Sequence, residues 1–95
     1  MSTNRYALIT GASSGLGAEF AQQLAARGHP LILVARREDK LAALASTLHE
    51  QYGVAVEVIT ADLSQPNTPQ KIAATCSAAG WQVEWLINNA GVAGP

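Results

Sequence analysis

The hydrophobic positions of this chain alternate between two patterns along its 95 residues. Short continuous apolar runs, typical of strands buried in a parallel sheet, are separated by stretches long enough for helices. The predicted strands cover residues 6–9, 31–35, 54–60 and 83–88. The predicted order along the chain is therefore β-α-β-α-β-α-β.

The stretches between the strands carry helix signals. The predicted apolar stripes are Leu16, Phe20 and Leu24 in the first helix and Leu41, Leu44 and Leu48 in the second. Glycines 28, 53 and 80 stand where the three helices are expected to end. Glu38 and Asp39 open the second helix, where their charge suits the helix dipole. Thr68 is predicted to be the N-cap of the third helix, ahead of Pro69.

The alternation of strands and helices predicts an α/β fold. Helix-length, right-handed crossovers between parallel strands give the first half of a doubly wound Rossmann-type sheet, with strand order 3-2-1-4. Glu57 interrupts a β-branched run, which places the third strand nearer an edge. The fourth strand would be central in a complete sheet and is expected to be an unpartnered edge here.

The glycine-rich turn at residues 10–17, Thr-Gly-Ala-Ser-Ser-Gly-Leu-Gly, links the first strand to the first helix. Gly11 is expected to make the tight exit from the strand, Gly15 to let the main chain meet a pyrophosphate, and Gly17 to let the helix pack closely on the sheet. Ser13 and Ser14 add hydroxyl donors. Free N–H groups and the helix dipole favour an anion here, so the turn predicts a nucleotide cofactor.

Arg36 and Arg37 come directly after the second strand. An acidic residue in this slot would hold the ribose 2′-hydroxyl of NAD, whereas arginine accommodates the 2′-phosphate of NADP. The alternative is a solvated charge pair, but two arginines at a helix N-terminus oppose the dipole. The pair therefore favours NADP(H).

Polar residues also follow the third and fourth strands, at the edge where open α/β sheets bind ligands. Asp62, followed by Leu63, is expected either to accept a hydrogen bond from an adenine amino group or to bond its own backbone. In residues 88–91, Asn-Asn-Ala-Gly, the paired asparagines are expected to satisfy free backbone groups where the strands splay, and Ala90 and Gly91 are small enough for a ribose or a base to lie against the chain.

Composition excludes several other classes of protein. The formal net charge of -1 indicates neither a nucleic-acid partner nor disorder, and one cysteine, Cys76, excludes an internal disulfide and a cluster of cysteine metal ligands. No apolar run approaches the ~20 residues of a membrane span, and there is no signal-peptide pattern. We expect a cytoplasmic protein with no membrane or nucleic-acid partner.

Residues 10–17, Asp62 and residues 88–91 together resemble the short-chain dehydrogenase/reductase family in order and spacing. The resemblance covers essentially the whole chain. It implies an NADP(H)-dependent oxidoreductase that interconverts a carbonyl and an alcohol, acts on a small-molecule substrate and forms a homo-oligomer when full-length. The implied cofactor-binding residues are Gly11, Ser13, Ser14, Gly15, Leu16, Gly17, Arg36, Arg37, Asp62, Leu63, Asn89, Ala90 and Gly91.

Catalytic residues are missing from the pattern. Family members use a downstream Asn, a Ser and a Tyr-x-x-x-Lys pair, but Tyr6 and Tyr52 are followed four residues later by Thr10 and Val56. We therefore expect residues 1–95 to be the NADP(H)-binding N-terminal part of a Rossmann domain that stops before the catalytic part, and to be inactive alone.

Two other functions remain open from the sequence. The chain could be a nucleotide-binding or interaction module without chemistry, which a stable monomer that binds cofactor alone would favour. An S-adenosylmethionine-dependent methyltransferase ranks lower, because it expects an acidic residue where Arg36 and Arg37 stand.

Overall fold

The described part of the chain forms three helices and four strands. The computed structural model describes residues 5–12 and 15–88. The elements are β1 (Arg5–Thr10), α1 (Gly15–Ala26), β2 (Leu31–Ala35), α2 (Glu38–Tyr52), β3 (Val56–Thr60), α3 (Thr68–Ala79) and β4 (Gln82–Asn88). The strands make one parallel sheet in the order β3-β2-β1-β4. The predicted element order, fold class and strand order are confirmed.

The core lies on both faces of the two central strands. Side chains of a parallel strand alternate between faces, so each central strand serves two apolar clusters. Ile9 and Leu33 belong to the cluster that also takes residues of α1 and α2. Leu8 and Val34 belong to the cluster that takes residues of α3. The helices therefore cover opposite faces of the sheet, as the doubly wound prediction requires.

The buried side of α1 differs from the predicted stripe. Leu24 is buried, but Leu16 and Phe20 are 52% and 36% exposed. Small residues, including Gly17 and Ala21, are buried instead. The prediction of the buried face of α1 from its large apolar residues is wrong, because glycine and alanine bring the helix close to the sheet. The stripe of α2 is confirmed, with its three leucines packed into the core.

Two helices end at glycine through the same pair of hydrogen bonds. After α1, the Gly28 N–H donates to the Ala25 carbonyl at 2.9 Å and the His29 N–H to the Leu24 carbonyl at 3.1 Å. Gly80 closes α3 in the same way. Its φ of 79° is left-handed, which glycine adopts at little cost, so the predicted stop signals are confirmed.

The N-terminus of α3 corrects one prediction. The N-cap is Asn67, not Thr68, and Asn67 makes no side-chain capping bond. Thr68 lies one position inside the helix and is buried. Its hydroxyl donates to the backbone carbonyl of Asp62 at 2.5 Å. The threonine therefore fastens the β3–α3 loop to the helix instead of capping the helix.

The start of β3 lies two residues later than predicted. Residues 54–55 form the connection from α2, and the strand begins at Val56. A ring nitrogen of His49, Nδ1, lies 2.9 Å from the Val54 carbonyl, and the Leu31 N–H donates to the Ala55 carbonyl. The Ala55 carbonyl is thus already bonded to β2 one residue before β3 begins.

The outer strand β4 is paired with β1 on one side and exposed along most of its length. Its register shifts opposite Tyr6 and Ala7, an irregularity that the sequence pattern did not predict. Among its apolar side chains, Trp85 is 48% exposed and Leu86 is 66% exposed. The predicted edge strand is therefore present within the described residues.

Candidate functional site

The turn after β1 is held against the end of β2. Gly11 has a φ of 65°, a left-handed conformation that favours glycine and makes the sharp exit from the strand. The next residue, Ala12, is fully buried, and its N–H donates to the Val34 carbonyl at 3.2 Å. This bond fixes the glycine turn beside the strand that leads into Arg36.

The beginning of α1 offers open space beside the glycine turn. Among residues 5–12 and 15–88, a Cβ built at Gly15 meets no neighbouring heavy atom within 4 Å. Leu16 is half exposed, whereas Gly17 is buried against the fold. The first turn of a helix presents N–H groups without intrahelical partners, and an anionic group has room to approach them beside Gly15. These features fit a pyrophosphate.

The ends of β1 and β4 are joined by a side-chain hydrogen bond. Thr10 is buried, and its hydroxyl donates to Oδ1 of Asn88 at 3.1 Å. The same hydroxyl lies 3.5 Å from the Ile87 carbonyl. Thr10 and Asn88 lie in the predicted motifs at residues 10–17 and 88–91, but neither was among the predicted cofactor-binding residues. Their positions at the ends of neighbouring parallel strands were the signal that could have identified the contact.

The predicted phosphate site begins where β2 ends. Arg36 and Arg37 are both exposed, and Arg37 is the N-cap of α2 without a side-chain capping bond. Its Nε lies 3.8 Å from Oδ1 of Asp39, with the two side chains 63% and 75% exposed. Both arginines can therefore reach an anion from solvent at the carboxyl edge of the sheet.

Asp62 lies at the same edge, after β3. The Ala61 N–H donates to the Ala35 carbonyl at 2.9 Å, which holds the end of β3 beside the end of β2. Oδ1 of Asp62 accepts two hydrogen bonds from Ser64, from the backbone N–H at 3.0 Å and from the hydroxyl at 2.7 Å. The backbone-bonding role is therefore present, and a contact to adenine stays a proposal.

The hydrogen bonds from Ser64 stabilise the ionised form of Asp62. The hydroxyl and then the backbone N–H of Ser64 lower the pKa of this carboxyl below its ordinary value, and slight desolvation opposes them. The positive charge of Arg36 lowers the pKa further. Arg36 follows β2 and Asp62 follows β3, so the two charges lie after neighbouring strands of the sheet.

Leu63 faces a different environment from the two arginines. It packs against the apolar cluster under α3 and lines a groove of about 560 Å³ between α3 and β4. Thr10 and Asn88 line the same groove at the carboxyl edge, and Leu86 lines it from β4. Leu63 therefore lies on the α3 side of the sheet, in the groove that Thr10 and Asn88 also line.

Five predicted site residues lie outside the described residues. They are Ser13, Ser14, Asn89, Ala90 and Gly91. The described residues bring together the glycine turn, the arginine pair and Asp62 at one edge of the sheet.

Aromatic, histidine and cysteine side chains contribute mainly to packing. The rings of Tyr6 and Trp81 are 5.8 Å apart, and those of His29 and Trp85 are 5.2 Å apart. Cys76 is buried, and desolvation raises the pKa of its thiol. Within residues 5–12 and 15–88, no three potential ligands cluster for a metal. In the same ranges, no helix is both long and apolar enough to cross a membrane.

Comparison with known proteins decides the family. A family model described as "short chain dehydrogenase" matches residues 5–95. The chain belongs to the short-chain dehydrogenase family. The resemblance inferred from the glycine turn and from the residues at the strand ends is thereby confirmed.

Relatives of this short-chain dehydrogenase segment carry several substrate names. The segment is 45% identical over 87 residues to a very-long-chain 3-oxoacyl-CoA reductase from Podospora anserina, covering 90% of this chain and 26% of the relative. It is 42% identical over 67 residues to a 7beta-hydroxysteroid dehydrogenase from Collinsella aerofaciens, covering 70% and 26%. The chain thus spans about a quarter of the length of these curated relatives.

Solved structures of the family match the same fold. A short-chain dehydrogenase from Sphingobium yanoikuyae in complex with NADPH has a TM-score of 0.70 and 48% identity, over 75% of this chain and 28% of that chain. L-sorbose reductase from Gluconobacter frateurii, complexed with NADPH and L-sorbose, has a TM-score of 0.83 and 33% identity, over 88% and 32%.

Proposed function

We propose that this chain is the cofactor-binding part of an NADP(H)-dependent oxidoreductase that interconverts a carbonyl and an alcohol. The observation that carries the proposal is the arginine pair at the end of β2, exposed to solvent and beside the turn at Gly11. NADPH complexes among the matching structures support the same cofactor. When bound, NADPH would supply the hydride, while residues of this chain hold its adenosine half.

Each part of the adenine-nucleotide half of NADPH, including its phosphates, has a candidate partner in this chain. The pyrophosphate would lie at the start of α1, against the glycine turn that includes Gly15. The 2′-phosphate would lie between the guanidinium groups of Arg36 and Arg37, which carry the charge that such a group requires. Asp62 and Leu63 would contact adenine. Ser13, Ser14 and residues 89–91 are proposed to complete the site.

The affinity for the two cofactors tests the arginine pair. In the full-length protein that carries this sequence, we expect NADPH to bind about 10- to 100-fold more tightly than NADH, because a charge-assisted phosphate contact contributes about 1.5–3 kcal/mol. Arg37→Ala should erode that preference, and Arg36→Ala should do the same. Fluorescence titration of both cofactors measures the ratio.

A matched control separates a phosphate contact from net charge. Arg27→Ala removes the same charge from the residue after α1, at the opposite edge of the sheet from Arg37. The control should leave the ratio of NADPH to NADH affinity unchanged. Equal affinities for the two cofactors in the unaltered protein would rule out the proposed NADP(H) preference.

The chain alone is proposed to be catalytically inactive. Hydride transfer to a carbonyl needs a positioned proton donor, and neither Tyr6 nor Tyr52 has a lysine four residues later. Tyr6 is also buried within β1, where burial raises the pKa of its hydroxyl. Following NADPH absorbance with a panel of ketones and aldehydes, for this chain and its full-length parent, tests the proposal. Turnover by the purified 95-residue chain would contradict it.

A nucleotide-binding module without chemistry is the second candidate function. The observation that favours it is that neither tyrosine of the chain is followed four residues later by a lysine, so the chain offers residues for cofactor binding only. Tight cofactor binding by a full-length protein that turns over no carbonyl substrate would support this alternative. An S-adenosylmethionine-dependent methyltransferase has no comparable support, because Arg36 and Arg37 occupy the slot where it expects an acid.

A further inference from the structure

The carboxylates beside the two arginines are held differently. Asp62, which follows the neighbouring strand β3, is fixed by two hydrogen bonds from Ser64. Asp39 contacts Arg37 at 3.8 Å, and its side chain is 75% exposed. An exposed pair at this distance opens easily, because water and salt screen both charges. Asp39 is therefore a labile partner of Arg37, whereas the Asp62 carboxylate is held by Ser64.

The contact between Arg37 and Asp39 involves Nε of Arg37, a hydrogen-bond donor that a bound phosphate would also use. A guanidinium binds oxyanions through a planar fork of N–H donors, of which Nε–H is one. Asp39 faces that Nε atom. It is two residues from Arg37 and belongs to the first turn of α2, so its negative charge stays close to any anion that Arg37 binds. A phosphate and this carboxylate consequently compete for the same cation.

We propose that Asp39 is a specificity-determining residue that weakens the binding of a ribose 2′-phosphate by competing for Arg37. This inference rests on the proposed function, since it requires that Arg37 contact the 2′-phosphate of NADPH. NADH carries a neutral hydroxyl at that position, and binding of this hydroxyl does not require the positive charge of Arg37. Asp39 therefore lowers the affinity for NADPH but not the affinity for NADH. It thereby reduces the ratio of NADPH to NADH affinity.

Removal of the Asp39 charge should tighten NADPH binding. Exposed ion pairs are worth about two- to five-fold in an equilibrium constant. We expect Asp39→Asn, which keeps the side-chain size, to lower the Kd of NADPH by about that factor in the full-length protein. The Kd of NADH should stay unchanged. Titration of each cofactor at low ionic strength measures both values, and added salt should reduce the difference.

Glu38 provides a matched control within the same helix turn. Glu38→Gln also removes one acidic charge from the first turn of α2, and among the described residues no ion pair joins Glu38 to Arg37. We expect a clearly smaller gain in NADPH affinity from this change. An equal gain would mean that net charge near the helix N-terminus acts without regard to the contact, which would overturn the inference.

A double-mutant comparison tests whether Asp39 acts through Arg37. In an Arg37→Ala background, Asp39→Asn should no longer change the Kd of NADPH. A gain that persists there, or a Kd that is unchanged or weaker in the single Asp39→Asn variant, would overturn the inference. Failure of the proposed function gives a different result, because Arg37→Ala alone would then leave the ratio of NADPH to NADH affinity unchanged.

Discussion

The Thr10 hydroxyl donates a hydrogen bond to the side-chain carbonyl of Asn88 across 3.1 Å, and so joins the ends of β1 and β4. The two residues are 78 positions apart in sequence. Thr10 precedes the glycine turn, and Asn88 begins the Asn-Asn-Ala-Gly stretch. The contact thus connects the two sequence motifs that led most directly to the family.

Replacing the Thr10 hydroxyl should loosen this junction. Thr10→Val keeps the side-chain shape but removes the donor, and we expect a loss of about 0.5–1.5 kcal/mol in unfolding free energy. Thr10→Ser keeps the hydroxyl and should retain more of the stability. Urea unfolding of the three full-length proteins measures the difference. Equal stability of the valine variant and the unaltered protein would show that the contact contributes nothing.

Low pH should reduce the contribution that the Asp62 carboxylate makes to the stability of the fold. The pKa of this carboxyl is lowered in the folded state, so its ionised form stabilises the fold. That contribution is fully present above the unfolded pKa of about 3.9 and is lost as pH falls through the lower folded pKa. Asp62→Asn should therefore differ most in Tm from the unaltered protein above about pH 4, and the difference should shrink below it.

The cause of the lowered Asp62 pKa can be tested separately. Ser64→Ala removes the hydroxyl donor, which is the largest cause, and should move the pKa of the Asp62 carboxyl back toward its ordinary value. Arg36→Ala should produce a smaller rise, because the charge of Arg36 has less effect than the hydrogen bonds from Ser64. NMR titration of the carboxyl carbon measures both. A larger rise from Arg36→Ala would contradict this assignment.

The exposed face of β4 should promote self-association of the 95-residue chain in isolation. An edge strand offers unpaired backbone groups, and its exposed apolar side chains include Leu86. We expect concentration-dependent sedimentation, reduced by Leu86→Glu. Phe20→Glu is a matched control, because it places the same charge on an exposed apolar position of α1, away from the edge. A sharp monomer boundary with a cooperative melt would contradict the prediction.

The order of elements was predictable because periodicity and helix-ending glycines act locally. Gly28 and Gly80 each close a helix through backbone bonds to residues within the preceding turn, so neighbours in sequence were sufficient. The strand order followed from helix-length crossovers of fixed hand. Agreement between these local signals made the fold predictable from sequence alone.

Errors occurred where contacts between distant residues decide the structure. The exposure of Leu16 depends on how closely α1 approaches the sheet through small residues. The role of Thr68 depends on a carbonyl six positions earlier, which competes with capping. The bond between Thr10 and Asn88 exists only after the sheet has formed. None of these relations leaves a periodic signal along the chain.

The most direct measurement compares two fragments of the cofactor that lack nicotinamide. Isothermal titration calorimetry of the full-length protein with 2′,5′-ADP and with 5′-ADP isolates the contribution of the 2′-phosphate to the binding affinity. We expect 2′,5′-ADP to bind at least about tenfold more tightly than 5′-ADP, through a charge-assisted contact with the arginines after β2. Equal affinity for the two fragments would contradict it.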